Sequence, residues 1–363
     1  FATPTVIDLA VEKVDSDTKT ATFLVPKQYG YSLNGNDITW YSDSSSYDNQ
    51  RYWTTKQSAF SYMQAYDASK QQTWRAGNPN STIFANVTSI KETKTDNASH
   101  LKVSYSSSLN KLLKPGMYFQ MRLLDRDHPG MFIWKSKDVS IENIRIGFLH
   151  GFGIVGQHSE NITIDNVRFE APAETGRSTS GFADFIQMSG TKGKIRITNS
   201  YFSNPHDDPI NVHGTFNEVV EKIAANKIRV RFKHHETAGF PNYFIGDQVE
   251  FSTKGNMITV PDSVRTVTAV DGPDGKGGIQ GSGSGNLTDI ILTFDKDIPA
   301  EIGVNGTHVV ENITYTPEVE ISNNVFTATP TRGILVTTRK KVAIENNTFD
   351  GIGMAGIYIS NDA

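Results

Sequence analysis

Through the middle and the end of the chain, apolar and polar positions follow one recurring pattern. An apolar residue is followed by any residue, Ile, any residue, Asn, two residues, and then an apolar or aromatic residue. Five segments carry it: Val139–Ile146, Ile162–Phe169, Ile195–Phe202, Val319–Phe326 and Val342–Phe349. Alternation at the first and third positions turns two side chains to one face, as a half-buried strand requires. The Asn that follows accepts turn conformations that branched residues resist. Such self-similarity predicts a solenoid of stacked coils, in which Asn143, Asn166, Asn199, Asn323 and Asn346 form an internal ladder and have no part in chemistry.

Eleven residues after the Asn, four coils carry a second apolar position that opens another short strand: Ile154, Ile210, Ile334 and Ile357. In the coil of Asn166 the equivalent residue is Ile186, twenty residues on, because nine extra residues fall within positions 171–181. Extra length on one coil is expected to project as a loop on the binding face. The repeat breaks twice. From Glu218 to Tyr315 it gives way to strand-like runs at 227–232, 248–251 and 290–294 and a Gly-rich stretch at 271–285. Residues 1–125 read alike, with strands expected at 21–25, 38–41 and 101–105 and a short helix near Ser58 to Ala68. The expected fold is therefore all-β: a right-handed parallel β-helix over residues 126–217 and 316–363, carrying two inserted antiparallel β-barrel-like domains at 1–125 and 218–315. The chain starts at Phe1 and stops inside a repeat, so it reads as a fragment whose first and last coils lie outside it.

Composition narrows the function. The 35 Lys and Arg against 39 Asp and Glu, a net charge of -4, supply no basic field for a polyanion, so nucleic acid is not an expected partner. The 13 Tyr, 20 Phe and 4 Trp, with many Asn, Ser and Thr, suit a polar surface that binds sugars. Without cysteine there is neither a disulfide nor a thiolate metal site, and no apolar run is long enough to span a membrane.

Aligning the second strands on their leading Ile shows which residues stack, because neighbouring coils lie about 4.8 Å apart. Two residues before that Ile stand Phe152, Asp184, Asp208, Arg332 and Ala355. Asp184 and Asp208 thus become rung neighbours, with Asp207 at the corner before the strand and Pro209 stiffening the exit. Like-charge repulsion should raise at least one of these carboxyls, while Arg332 holds another down. Glycosidic cleavage needs that division, one carboxyl donating a proton and another activating water or attacking the sugar. The plainer alternative is an Asp-Asp pair that closes a turn through side-chain hydrogen bonds. Gln187 and Asn211 alternate outward beside the cluster, and His206 and His213 flank it; all four are candidate sugar-binding residues, as is Arg332. Arg126 to Gly130 and the pair His234-His235 read as structural, and no spacing of His and carboxylates marks a metal site or calls for a cofactor.

The segments Gly151–Gln157, Ala183–Gln187, Lys192–Ile195, His206–Gly214 and Arg332–Val336 resemble signature segments of glycoside hydrolase family 110, over roughly residues 126–363. The resemblance implies an exo-acting α-1,3-galactosidase working with inversion, on a bacterial β-helix interrupted by two barrel-like domains. It also implies a secreted or periplasmic location, and as partners a galactose-terminated oligosaccharide or glycoconjugate, with a homodimer as candidate assembly. Some members accept branched blood-group-B structures and others only linear glycans. Carried over by position, the acid and base carboxylates fall on Asp184, Asp207 and Asp208. Inverting enzymes keep their carboxyls roughly 6.5 to 9.5 Å apart, which Asp184 with Asp207 suits better than Asp184 with Asp208. Two other readings compete. A pectin-type hydrolase or lyase would want a row of cations in the groove, and a carbohydrate-binding solenoid without catalysis would want exposed aromatic stripes in place of stacked carboxylates.

Overall fold

The structure is a computed structural model that describes residues 4–95, 98–126, 128–232, 241–272 and 289–360. His234, His235, Asp127 and nearly all of the Gly-rich stretch lie outside the described residues.

The repeat folds as a parallel β-helix with three faces. One sheet holds the Val-x-Ile strands in the order Lys137–Glu142, Glu160–Asp165, Lys192–Thr198, Glu318–Ser322 and Val342–Glu345. A second holds the short strands that come after each Asn, and a third the strands that begin with the aligned Ile. In the third sheet Ile154, Ile186, Ile210, Ile334 and Ile357 are register partners in turn, so the nine extra residues of one coil leave the alignment untouched. Met131 precedes Ile154 as a further rung. Ile154, Ile186, Ile210 and Ile334 fill the core, and Phe169, Phe202, Phe326 and Phe349 stack along it with ring centroids 4.9 Å apart and planes within 12° of parallel. That spacing is close to the inter-strand distance, so each ring repeats its neighbour's contact.

The five repeat Asn take positive φ, between 51° and 59°, as the turn demands, but their side chains are exposed. The internal ladder expected of them lies one residue later. Asn324 Oδ1 accepts from Ser200 N, Asn347 Oδ1 from Asn324 N, and the two amides donate to Ile197 O and Ile321 O. The left-handed residue swings its side chain out of the coil, and in four of the five coils the next residue points in, Ile144 being exposed.

Both interruptions are antiparallel β-domains. In the first, a seven-stranded and a three-stranded sheet share one core around Trp40, Phe23 and Phe119. The helix expected near 58–68 is a single 3-10 turn, Gln57–Ala59, and Tyr62–Asp67 is a strand between Gln72–Gly77 and Met117–Arg122. Pairing on both edges, with Met63 and Ala65 buried, outweighs the local helical preference. The second domain closes as a six-stranded barrel from Phe216–Ala224 to His308–Asn312.

The loop at 171–181 leaves Ala173, Glu174 and Gly176 exposed but docks its far end on the first domain. Asp8, buried in the first domain, accepts hydrogen bonds from the backbone N–H groups of Ser178 and Thr179, at 2.5 and 3.0 Å. Thr179 and Ser180 are fully buried as a result. The first domain therefore rests on the solenoid through this loop and through the corner that precedes Asp207. Gln64 Nε2 donates to Pro205 O at 3.1 Å, and Thr73 Oγ1 to Asn204 Oδ1 at 2.6 Å.

Candidate active site

Backbone pairing sets the height of the three carboxyls. Ala183 O accepts from both His206 N and Asp207 N, at 3.3 and 3.2 Å, and Phe185 N donates to Asp208 O at 3.3 Å. Asp184 and Asp208 accordingly stand level on adjacent coils, with Asp207 at the corner. Asp184 is 3% exposed and Asp208 1% exposed, while the Asp207 side chain keeps 15% of its surface open.

The three carboxyls differ in the cations they meet. The Arg126 guanidinium spans two of them, Nη1 lying 3.5 Å from Asp184 Oδ1 and Nη2 2.5 Å from Asp207 Oδ2. Arg75, from the first domain, approaches Asp207 Oδ1 at 3.5 Å. Asp208 is held by Arg332 through Nη2 at 2.7 Å and through Nε and the backbone N at 3.1 Å each. Burial raises Asp184 well above the ordinary carboxyl range; the Asp207 charge adds to this, Arg126 opposes it, and Asp208 adds again. Burial also raises Asp208, against the hydrogen bond from Arg332. The rung alignment predicts that Arg332 holds a carboxyl down; it does pull that way, but desolvation of a side chain with almost no open surface is the larger effect.

The flanking residues divide. Asn211 Nδ2 donates to Asp184 Oδ2 at 3.3 Å, and Gln187 is its register partner one coil before. Gln187 Nε2 lies 2.7 Å from His213 Nε2, and His213 Nδ1 lies 2.8 Å from Gly214 O. Since a carbonyl only accepts, the proton belongs on Nδ1 and Nε2 accepts from Gln187. Gln187 Oε1 and Asn211 Oδ1 are buried without a hydrogen-bond partner, two acceptors beside the acid, and Asp184 Oδ1 makes no hydrogen bond either. Unsatisfied buried acceptors cost stability, so their clustering favours a ligand that brings donors. Gln187, Asn211 and His213 thus join the carboxyls.

Two other candidates have part of their polar groups engaged within the protein. His206 is fully buried, accepts from Arg122 Nε through Nδ1 at 3.2 Å, and is kept neutral by burial and by the Arg122 charge. It lies in the joint between domains, with Tyr62 5.9 Å away ring to ring, and its Nε2 is buried without a hydrogen-bond partner. Arg332 turns its Nε and Nη2 onto Asp208, so its side chain braces a carboxylate, as its rung position predicts, while 29% of its surface stays open.

Three cations of the site are not legible in the sequence. Arg126 reads there as part of a structural turn. Arg75 and Arg122 lie on strands of the first domain, far from the repeat in sequence, and no spacing connects them to it. Burial lowers the Arg122 pKa to about 10, with its guanidinium over the rings of Tyr62 and Phe182. Among the described residues no group of three or more His, Asp or Glu could hold a metal ion.

The chain is similar to several bacterial proteins named α-1,3-galactosidase A. The Streptomyces avermitilis protein is 44% identical over the whole of this chain, which covers 56% of that protein. The Peterkaempfera griseoplana protein is 44% identical over 93% of the chain, and the Bacteroides thetaiotaomicron protein 36% identical over 92%, with 46% and 52% of their lengths covered. The chain thus spans about half the length of the curated relatives it matches. No family model matches it.

Proposed function

Because the chain belongs to the α-1,3-galactosidase family, glycoside hydrolase family 110, we propose that it forms the catalytic part of an exo-acting glycosidase that releases terminal α-1,3-linked galactose with inversion. The observation that carries this reading is the carboxyl cluster: a buried Asp184 with raised pKa and an Asp207 braced by two guanidinium groups, flanked by unsatisfied polar acceptors. Asp184, held protonated by burial, is the general acid. It gives its proton to the glycosidic oxygen as the bond from that oxygen to the galactose anomeric carbon breaks. Asp207 is the base; it takes a proton from the water whose oxygen bonds to that carbon from the opposite face. One water is consumed, free galactose and the shortened glycan leave, and the two carboxyls exchange protons with solvent to reset. The Arg126 guanidinium contacts both acid and base, and inversion asks that the two carboxyls stand far enough apart to admit a water. Asp208, its oxygens taken by Arg332, holds the corner in place.

The test is to incubate the enzyme with α-1,3-galactobiose and monitor the released anomer by proton NMR. β-Galactose as first product supports inversion, α-galactose refutes it, and no galactose sinks the hydrolase reading. Variants assign the roles. Asp184→Ala should keep much of its rate on an aryl galactoside whose leaving group needs no proton, whereas Asp207→Ala should lose both substrates and recover with azide. The reverse pattern would exchange acid and base.

A further inference from the structure

Beside the carboxyl cluster, where the three-stranded sheet of the first domain meets the first coil, lies a cleft of about 150 Å³. Trp53, Tyr52 and Phe182 form its apolar walls, and Asp125, His128 and His150 bring polar groups to it. The His128 and His150 rings are stacked 6.3 Å apart, and His150 Nδ1 lies 3.2 Å from Thr5 Oγ1. Tyr52 stands half exposed at the rim.

The cleft shares its walls with the cluster. Asp125 and His128 lie close to either side of Arg126 in the chain, the residue that spans Asp184 and Asp207. Phe182 lies two residues before Asp184 and carries the Arg122 guanidinium 4.6 Å above its ring. None of the three carboxyls lines the cleft, so it is a neighbouring compartment.

Its size and lining select the ligand class. At about 150 Å³ it is well below the roughly 300–1,000 Å³ of pockets that enclose drug-sized molecules, and suits a single ring. Aromatic faces carry a negative quadrupole and attract the weakly positive C–H face of a pyranose, while a carboxylate and imidazoles pair with its hydroxyls. We propose that this cleft is a second sugar subsite, holding the unit from which galactose is cut. The inference rests on the galactosidase reading for the identity of that unit, and its test can fail without it. Sugar bound here is oriented against Asp184 by contacts that galactose alone does not make, so the cleft selects for the sugar unit to which the terminal galactose is joined.

The experiment uses the full chain carrying Asp184→Asn, which leaves the disaccharide uncut. Methyl α-galactoside and α-1,3-galactobiose are titrated by calorimetry, then again after adding Tyr52→Ala, His150→Ala or Trp53→Ala. Galactobiose should bind about tenfold tighter than methyl α-galactoside, and each cleft substitution should abolish that advantage while leaving methyl α-galactoside within about twofold. Trp53 also packs on the first domain's core, so the half-exposed Tyr52 and the polar His150 keep the test open if that variant fails to fold. Equal affinity for both sugars, absence of binding, or an advantage that survives Tyr52→Ala and His150→Ala overturns the subsite. Galactose release by the unsubstituted enzyme, measured alongside, separates the cases. Release with an unchanged KM in the cleft variants removes the subsite alone, and no release removes the galactosidase reading.

Discussion

Asp184 and Asp208 stand on neighbouring rungs in nearly the same burial, yet their surroundings give them different work. Asp208 is matched by a guanidinium that meets both of its oxygens, whereas Asp184 has an amide on one oxygen and a more distant guanidinium near the other. Removing Arg332 strands a buried carboxyl without its partner. Arg332→Ala should therefore lower stability by about 3 kcal/mol in urea unfolding, more than a surface ion pair would cost. For Asp184 the native state holds its proton to higher pH than the unfolded chain does, so stability is lost as pH rises from the ordinary value near 3.8 through the raised one. Asp184→Asn keeps the neutral shape at every pH. Its melting temperature relative to the unsubstituted protein should climb between pH 4 and pH 8, while galactose release falls by about a thousandfold. A flat difference across that range would show that Asp184 does not titrate upward.

At the scale of the elements, the Asn-turn and the aromatic stack divide the labour of a coil. The Asn fixes a left-handed corner at modest cost, and the Phe three residues on fills the interior at the same spacing as the backbone. Asn323→Val should cost about 1–2 kcal/mol from backbone strain, because a branched side chain resists positive φ, and Asn323→Gly far less. Urea denaturation of the two variants separates strain from lost hydrogen bonding, since both lack the amide. This division also explains what was legible. The period announced the strands, the register and the rung of each Asp. It could not announce that the ladder lies one residue past the Asn, because side-chain direction after a left-handed residue depends on the turn itself. The strand at Tyr62–Asp67 was hidden for a related reason: one of its two edge partners, Met117–Arg122, comes from a distant part of the chain.

For the molecule as a whole, the interfaces between solenoid and inserted domains decide how the site is assembled. The first domain grips the corner at 204–206 and, with the connection that leads out of it, sends Arg75, Arg122 and Arg126 toward the carboxyls or their support. At the second domain, His158 of the solenoid is enclosed edge-on by Trp134, Phe244 and Tyr315, and burial, with Lys135 nearby, lowers it to about 4. A base whose native pKa is depressed gives stability that is whole above its unfolded value near 6.5 and is lost as pH falls toward the native one. Acidification from pH 6.5 to 4 should thus weaken this joint by as much as about 3 kcal/mol. His158→Asn, which tolerates the positive φ found there, should reduce the pH slope of unfolding measured by denaturant titration over that interval.

What the sequence determined by itself is whatever repeats at short range. The coil period, the left-handed Asn, the alignment on Ile154, Ile186, Ile210, Ile334 and Ile357, and therefore the meeting of Asp184 with Asp208, are all written in spacing. What only the tertiary structure decided is which cations meet those carboxyls and which candidates are sealed away. Arg75 and Asp207 are brought together by the docking of one domain on another, the same docking that buries His206 and folds the 171–181 loop onto Asp8. Burial and charge pairing between segments far apart in the chain arise from packing, and packing leaves no period in the sequence.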